Sequence, residues 1–309
     1  MKIRSIFALF LLTSGIAEAQ TGFSGDPLNA VFETKDTDRF WKAFDNMETA
    51  KQNPFADYIK DGSAGVKGFT ESRIISADSL YSKVKKRKED YLKSRSVLAG
   101  IHQKEKRTRA IYSALKYWYP EAEFPPVYFV YGRFNSGGTS SNDGIIIGTE
   151  MLKNLDGVTG LISHELIHFQ QNNKGKNTLL KQCLGEGSAD FIGELISGEH
   201  INPIPFQYGE SHTDQLYPEF VARLKEESYN DWLYGTSKKD DRPNDLGYWI
   251  GYKITEAYFN RQTDKRKAIH DTLNIQDPLL FLKESGLLNR YITEYTKKNK
   301  MKYDDFFKE

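Results

Sequence analysis

Apolar positions return with a helical period over residues 36–119. Phe40, Trp41, Phe44 and Met47 share one face, and residues 77–118 read as one or two long helices. Between these segments the glycines of "KDGSAGVKG" predict a turn. After Pro125 and Pro126 the period changes. "VYFVYG" and "GIIIGTE" are β-branched and aromatic and read as strands, separated by "RFNSGGTSSND", which reads as a flexible connection. A helix then runs from an expected N-cap at Asp156 through Val158, Leu161, Ile162, Leu166, Ile167 and Phe169, with Gly175 as its stop. Its apolar residues occupy nearly every face, as in a buried helix. A second helical pattern, "NTLLKQCLGEGSADFIGELISG", follows. Beyond Gly198 helices resume at 212–227 and 244–260, and a final pair fills 277–307. The pattern predicts an α+β fold, mostly helical, with a small sheet beside the helix at 158–169.

Residues 1–19 stand apart. Lys2 and Arg4 precede an apolar core at 6–12, then Ala17-Glu18-Ala19, which fits a signal peptide cut before Gln20. The apolar core is too short to span a bilayer comfortably, so no stable membrane insertion is expected after cleavage, and the protein is expected to be exported, periplasmic or secreted. Residues 20–309 read as one domain: a helical part over 26–120, sheet and paired helices over 125–198, and a helical lobe over 199–309. Without residues 1–19, 41 basic and 41 acidic side chains remain, a balance that argues against a nucleic-acid partner. The basic run "KVKKRKEDYLKSR" reads as a solvated helix face. Cys183 is the only cysteine, so no intrachain disulfide forms, and its apolar setting reads as core.

The buried helix raises a chemical question. "ISHELIHFQQ" places His164, Glu165 and His168 in an oily segment, where an unpaired polar group costs several kcal/mol, about 2–7 when neutral. Histidines four residues apart project from one helix face, with Glu165 on the flank. This H-E-x-x-H arrangement suits two imidazoles on one zinc ion per chain and a carboxylate that handles the proton of a water. A third ligand is expected on the next helix, where Glu186 and Glu194 compete. Eight residues apart on one helix, they differ by roughly 12 Å along the axis and about 80° around it, so only one can reach the site. Glu186 is nearer His168 in sequence, and Asp190 shares its face one turn later. Two His and one Glu leave a fourth tetrahedral position open, the layout of a catalytic zinc site. His102, His200 and His270 lack such spacing and read as exposed or satisfied locally.

His164-Glu165-Leu166-Ile167-His168 followed by Glu186-Gly187-Ser188-Ala189-Asp190 resembles the gluzincin metallopeptidases, the thermolysin-like clan. "KDTDRFWKAFD", "YIKDGSAGVKGF" and "RPNDLGYWIGYKITEAY" are similar to predicted zinc-dependent proteases of bacterial envelopes, related to gliding-motility lipoproteins, although no cysteine follows the apolar core here. The resemblance implies a zincin-like fold with a peptide or protein substrate. It implies metal ligands His164, His168 and Glu186, general base Glu165, and Asp190 as acceptor for the first histidine. It further implies that residues 144–149 form the cleft edge and pair with substrate backbone, which would make peptide binding tolerant of sequence, while the residues by themselves fit an ordinary buried strand equally well. An oxyanion donor is implied in the C-terminal lobe, with Tyr248, Tyr252 and His212 as candidates that sequence alone does not distinguish. The spaced Gly247 and Gly251 allow close helix approach there. Two rival readings are a non-catalytic envelope binding or scaffold protein that keeps the metal, and a zinc hydrolase for a non-peptide amide.

Overall fold

The computed structural model describes residues 22–235, 237 and 241–308; the expected signal peptide, residues 1–19, lies outside the described residues. The N-terminal helices are α1 (Lys35–Asp45), α2 (Phe55–Lys60), α3 (Ala64–Phe69), α4 (Ala77–Lys86), α5 (Lys88–Ser94) and α6 (His102–Trp118). After the sheet come α7 (Val158–Gln170) and α8 (Leu179–Ser197). They are followed by α9 (Pro203–Ser211), α10 (Thr213–Arg223), α11 (Leu246–Arg261), α12 (Lys265–Leu273), α13 (Pro278–Ser285) and α14 (Asn289–Lys298). Ser63, Ser76, Thr178, Asp264 and Asp277 accept backbone N–H groups at the starts of α3, α4, α8, α12 and α13, satisfying donors that a first turn leaves over. Among the described residues, no helix is long and apolar enough to cross a membrane.

The sheet contains β1 (Phe32–Glu33), β2 (Val127–Val130), β3 (Gly138–Ser141) and β4 (Gly144–Gly148) in the order β1-β2-β4-β3. β1, β2 and β4 run parallel, and β3 is antiparallel to β4. The fold is α+β and mostly helical. β4 is buried along its whole length because both of its faces are covered. Ile146 joins the N-terminal helical core, whereas Ile145 and Ile147 join the core formed with α6, α7 and α8. A further core is built from α8, α10, α11 and α13 around Trp232 and Trp249.

Several sequence expectations are corrected. Residues 144–149 are not the cleft edge, since β4 is paired on both sides; of the two edge strands, β1 and β3, the one lining the cleft is β3, inside the segment read as a flexible connection. The "KDGSAGVKG" segment holds α3 rather than only a turn. A side chain on its Gly65 would collide with Tyr128 of the sheet, so the glycine serves close packing. Residues 77–118 form three helices, because Arg87 and the turns between Arg95 and Ile101 interrupt the helical run. α7 is not capped by Asp156. Gly157, in a left-handed conformation, stands at its N-cap, and Glu199 accepts from the Gly160 N–H at 2.7 Å and from the Thr159 hydroxyl at 2.6 Å. α7 ends at Gln170, ahead of Gly175. In the C-terminal lobe, α9 and α12 escaped the periodicity, α9 because two prolines obscure it and α12 because it is short and polar.

α8 and α11 cross in backbone contact. A side chain on Gly251 would meet the Cys183 carbonyl, and one on Gly187 would meet the backbone of Gly251 and Tyr252. Neither neighbour can swing away, so the helices must separate. We expect Gly251→Ala to cost at least the roughly 3 kcal/mol at the upper end of ordinary overpacking. Urea unfolding tests this; an unchanged midpoint would show that the crossing yields freely.

Candidate active site

α7 presents His164 and His168 on one face, as their i, i+4 spacing dictates, and α8 supplies Glu186 and Asp190 from the facing side. The helices pass closely at Gly193, where an added Cβ would lie 3.5 Å from the His164 nitrogen. Each imidazole is oriented through Nδ1. His164 Nδ1 lies 2.7 Å from Asp190 Oδ1, whose partner oxygen accepts from Asn202 Nδ2 at 2.6 Å. His168 Nδ1 lies 2.9 Å from Gln171 Oε1, and the Gln171 amide nitrogen donates to the Gly185 carbonyl at 2.8 Å. A carboxylate and an amide oxygen both require a donor, so each Nδ1 carries hydrogen and each ring, when neutral, presents its Nε2 lone pair.

Those lone pairs converge. The Nε2 atoms are 2.9 Å apart and lie 3.5 Å (His164) and 3.1 Å (His168) from Glu186 Oε2. A tetrahedral zinc site with bonds of about 2.0–2.1 Å has edges of about 3.3 Å. The three atoms therefore match one face of such a tetrahedron, and three mutually facing acceptors call for a shared cation. Among the described residues, this is the group of His, Cys, Asp and Glu side chains able to hold a metal ion.

The same cluster attracts protons. Burial disfavours an imidazolium at His164, but hydrogen bonds to Asp190 and Glu186 overcome it and raise the pKa well above the ordinary value. Burial likewise opposes the Glu186 carboxylate, yet the charges and hydrogen bonds of the two imidazoles hold its pKa far below the usual range. Glu165 moves the other way. Burial raises its pKa against the pull of His164 and His168. Two carboxylates within one site are thus driven apart, the pattern of one group held ionised and another suited to exchanging protons.

A cleft of about 1060 Å³ opens over this cluster, with β3 on one wall and Tyr234, Asp245 and Tyr248 on another. Gly138, the first residue of β3, sits over Glu165: a Cβ there would lie 2.5 Å from Glu165 Oε1. Tyr248 stacks near His164 with ring centroids 6.0 Å apart. Burial, together with the charge and hydrogen bond of Glu186, raises the Tyr248 phenol well above its ordinary value, so it remains a donor. Tyr252 instead packs on Phe191 and Phe206, and His212 stacks on Tyr208, so neither lines the cleft. Glu194 turns to His200, at 2.9 Å. Cys183 is fully buried in the core, and burial pushes its thiol up.

Sequence reasoning missed Tyr234, whose hydroxyl lies 2.8 Å from Gln182 Oε1 and 3.4 Å from Glu186 Oε1. It stands on a loop at φ 61°, where no periodicity marks it. Gln171 was also missed, although its position three residues after His168 places it within reach of that ring.

Compared with known proteins, the chain matches one family model, described as predicted Zn-dependent protease (DUF2268), over residues 131–276. That span contains β3, β4, α7, α8, α11 and the convergent ligand set. No curated protein and no solved structure matches the chain significantly.

Proposed function

We propose that the protein is a zinc-dependent peptidase of the gluzincin kind, with a zincin-like core made by the sheet, α7 and α8. The observation that carries this reading is the convergence of His164 Nε2, His168 Nε2 and Glu186 Oε2 at the cleft, with Glu165 beside them beneath an open strand edge. These three residues would hold the ion, and they leave one tetrahedral position without a protein ligand, as catalytic sites do. Bound zinc would supply Lewis acidity, polarising a carbonyl and lowering a water's pKa towards about 7.

The chain's own groups do the rest. The Glu165 carboxylate accepts the proton released as water attacks the scissile carbonyl carbon, then returns it to the leaving nitrogen. Its burial favours the acceptance, because the protonated form is the one a desolvated carboxyl prefers. The Tyr248 hydroxyl donates to the carbonyl oxygen as charge develops there, a contribution commonly worth about 3–4 kcal/mol. The free edge of β3 pairs with an extended peptide, giving affinity through main-chain hydrogen bonds. Asp190 and Gln171 fix the imidazoles. The leader-like pattern of residues 1–19 supports export, with peptide or protein substrates in the periplasm or the medium.

Asp190→Asn should weaken zinc binding by about 10- to 100-fold, because an amide oxygen holds the His164 Nδ1–H less firmly than a carboxylate does. Chelator competition reads this directly. The function itself is tested by metal analysis of the purified protein together with digestion of an unbiased peptide library. One zinc per chain with chelator-sensitive cleavage is expected. Stoichiometric zinc without cleavage of any peptide would replace this reading with the non-catalytic binding protein.

A further inference from the structure

One cation in the cleft has no part in the proposed chemistry. Arg73 is the sole lysine or arginine lining it among the described residues, and Asn135, in the loop that enters β3, donates to its backbone carbonyl. Its Nε is buried without an acceptor, and the side chain makes no hydrogen bond or ion pair among the described residues. A partly desolvated guanidinium without a counter-charge is costly, and a carboxylate that it can grip with two parallel N–H bonds offsets this best.

The backbone around Arg73 is held in an unusual form. Residues Thr70–Ile74 make a π-helical turn, a rare form that is frequent at functional sites. Ile75 follows at φ 71°, ψ −56°, closing a three-residue turn through the Ser76 N–H to the Ile74 carbonyl at 2.9 Å. Such a turn is rare and strained, and more so at a β-branched residue. The Arg73 carbonyl accepts from Arg133 Nε at 2.7 Å and Asn135 Nδ2 at 3.1 Å, which ties this turn to the loop leading into β3. Strain of this kind persists where the surroundings over-determine it, here in a position that turns an arginine towards the cleft.

We propose that Arg73 is a specificity-determining residue, which binds a carboxylate of the bound peptide at the end of the cleft where β3 begins. The carboxylate is either an acidic side chain or the peptide's C-terminus. This rests on the peptidase reading for its ligand class but not for its measurement.

The test uses zinc-loaded full-length Glu165→Gln protein and three dye-labelled, alanine-rich decapeptide sets: C-terminally amidated with one glutamate scanned along the sequence, neutral with a free C-terminus, and neutral amidated. Anisotropy gives Kd for each, and wild-type digestion runs in parallel. A set carrying the recognised carboxylate should bind about 10- to 100-fold tighter than the neutral amide, and Arg73→Ala should erase that difference while leaving neutral-amide binding in place. Arg73→Lys should restore part of it. The glutamate and free-acid sets separate the two carboxylate sources. Equal weakening of all sets by Arg73→Ala, or no Arg73-dependent preference, overturns the inference. Arg73-dependent preference without cleavage by wild type sustains it while removing the peptidase reading; cleavage without preference does the reverse.

Discussion

Glu165→Gln should leave zinc bound and reduce turnover by several orders of magnitude, with loss of the general base alone worth about 10²–10⁴. Glutamine has the same length and fits beneath Gly138, where a larger change would press on β3. Glu165 is not among the converging ligand atoms, so the metal stays in place. What disappears is the only group in the proposed mechanism that moves a proton between water and leaving nitrogen. The measurement is kcat on a peptide cleaved by the wild type, alongside zinc stoichiometry on the same preparation. Wild-type turnover in the variant would eliminate the mechanism, and lost zinc would reassign Glu165 from base to ligand or support.

Removing Glu186 should have the largest effect on the metal. Glu186→Ala leaves two imidazoles whose Nε2 atoms are 2.9 Å apart, with no carboxylate to balance the cation or to hold the rings against each other. Zinc affinity should therefore fall by far more than the roughly 100-fold upper expectation for Asp190→Asn. Glu194→Ala is the control from the same helix. Its carboxylate pairs with His200, so the metal should remain. Zinc retention in Glu186→Ala with loss in Glu194→Ala would reverse the assignment. Thermal unfolding with and without added zinc gives a second readout, since an ion bound only by the folded chain stabilises it by mass action.

These expectations draw on two levels of information. The two histidines and Glu165 were legible because an α-helix converts sequence spacing into direction, so a four-residue interval puts two side chains on one face. Glu186 and Asp190 were legible for the same reason once a second helix was recognised. The mostly helical α+β class followed from the change of period at Pro125 and Pro126, and the burial of α7 followed from apolar residues on nearly all its faces.

Other parts of the site have no such rule behind them. β3 was read as flexible because serine, threonine and glycine carry no apolar alternation; it becomes a strand only through pairing with β4, and an edge only through the strand order. Gly138 looked like a loop glycine, but its significance is the Glu165 carboxylate beneath it. Glu199 caps α7 from about 40 residues away in place of Asp156, and Tyr234 and Arg73 reach the cleft from a loop and a π-helical turn. By itself, then, the sequence determined which residues could share a helix face and which helix had to be buried, because those are local consequences of backbone periodicity. The tertiary structure alone decided which strand lies open, how α8 brings its glutamate against the histidines and which side chains enclose the cleft, because those depend on contacts between segments far apart in the chain.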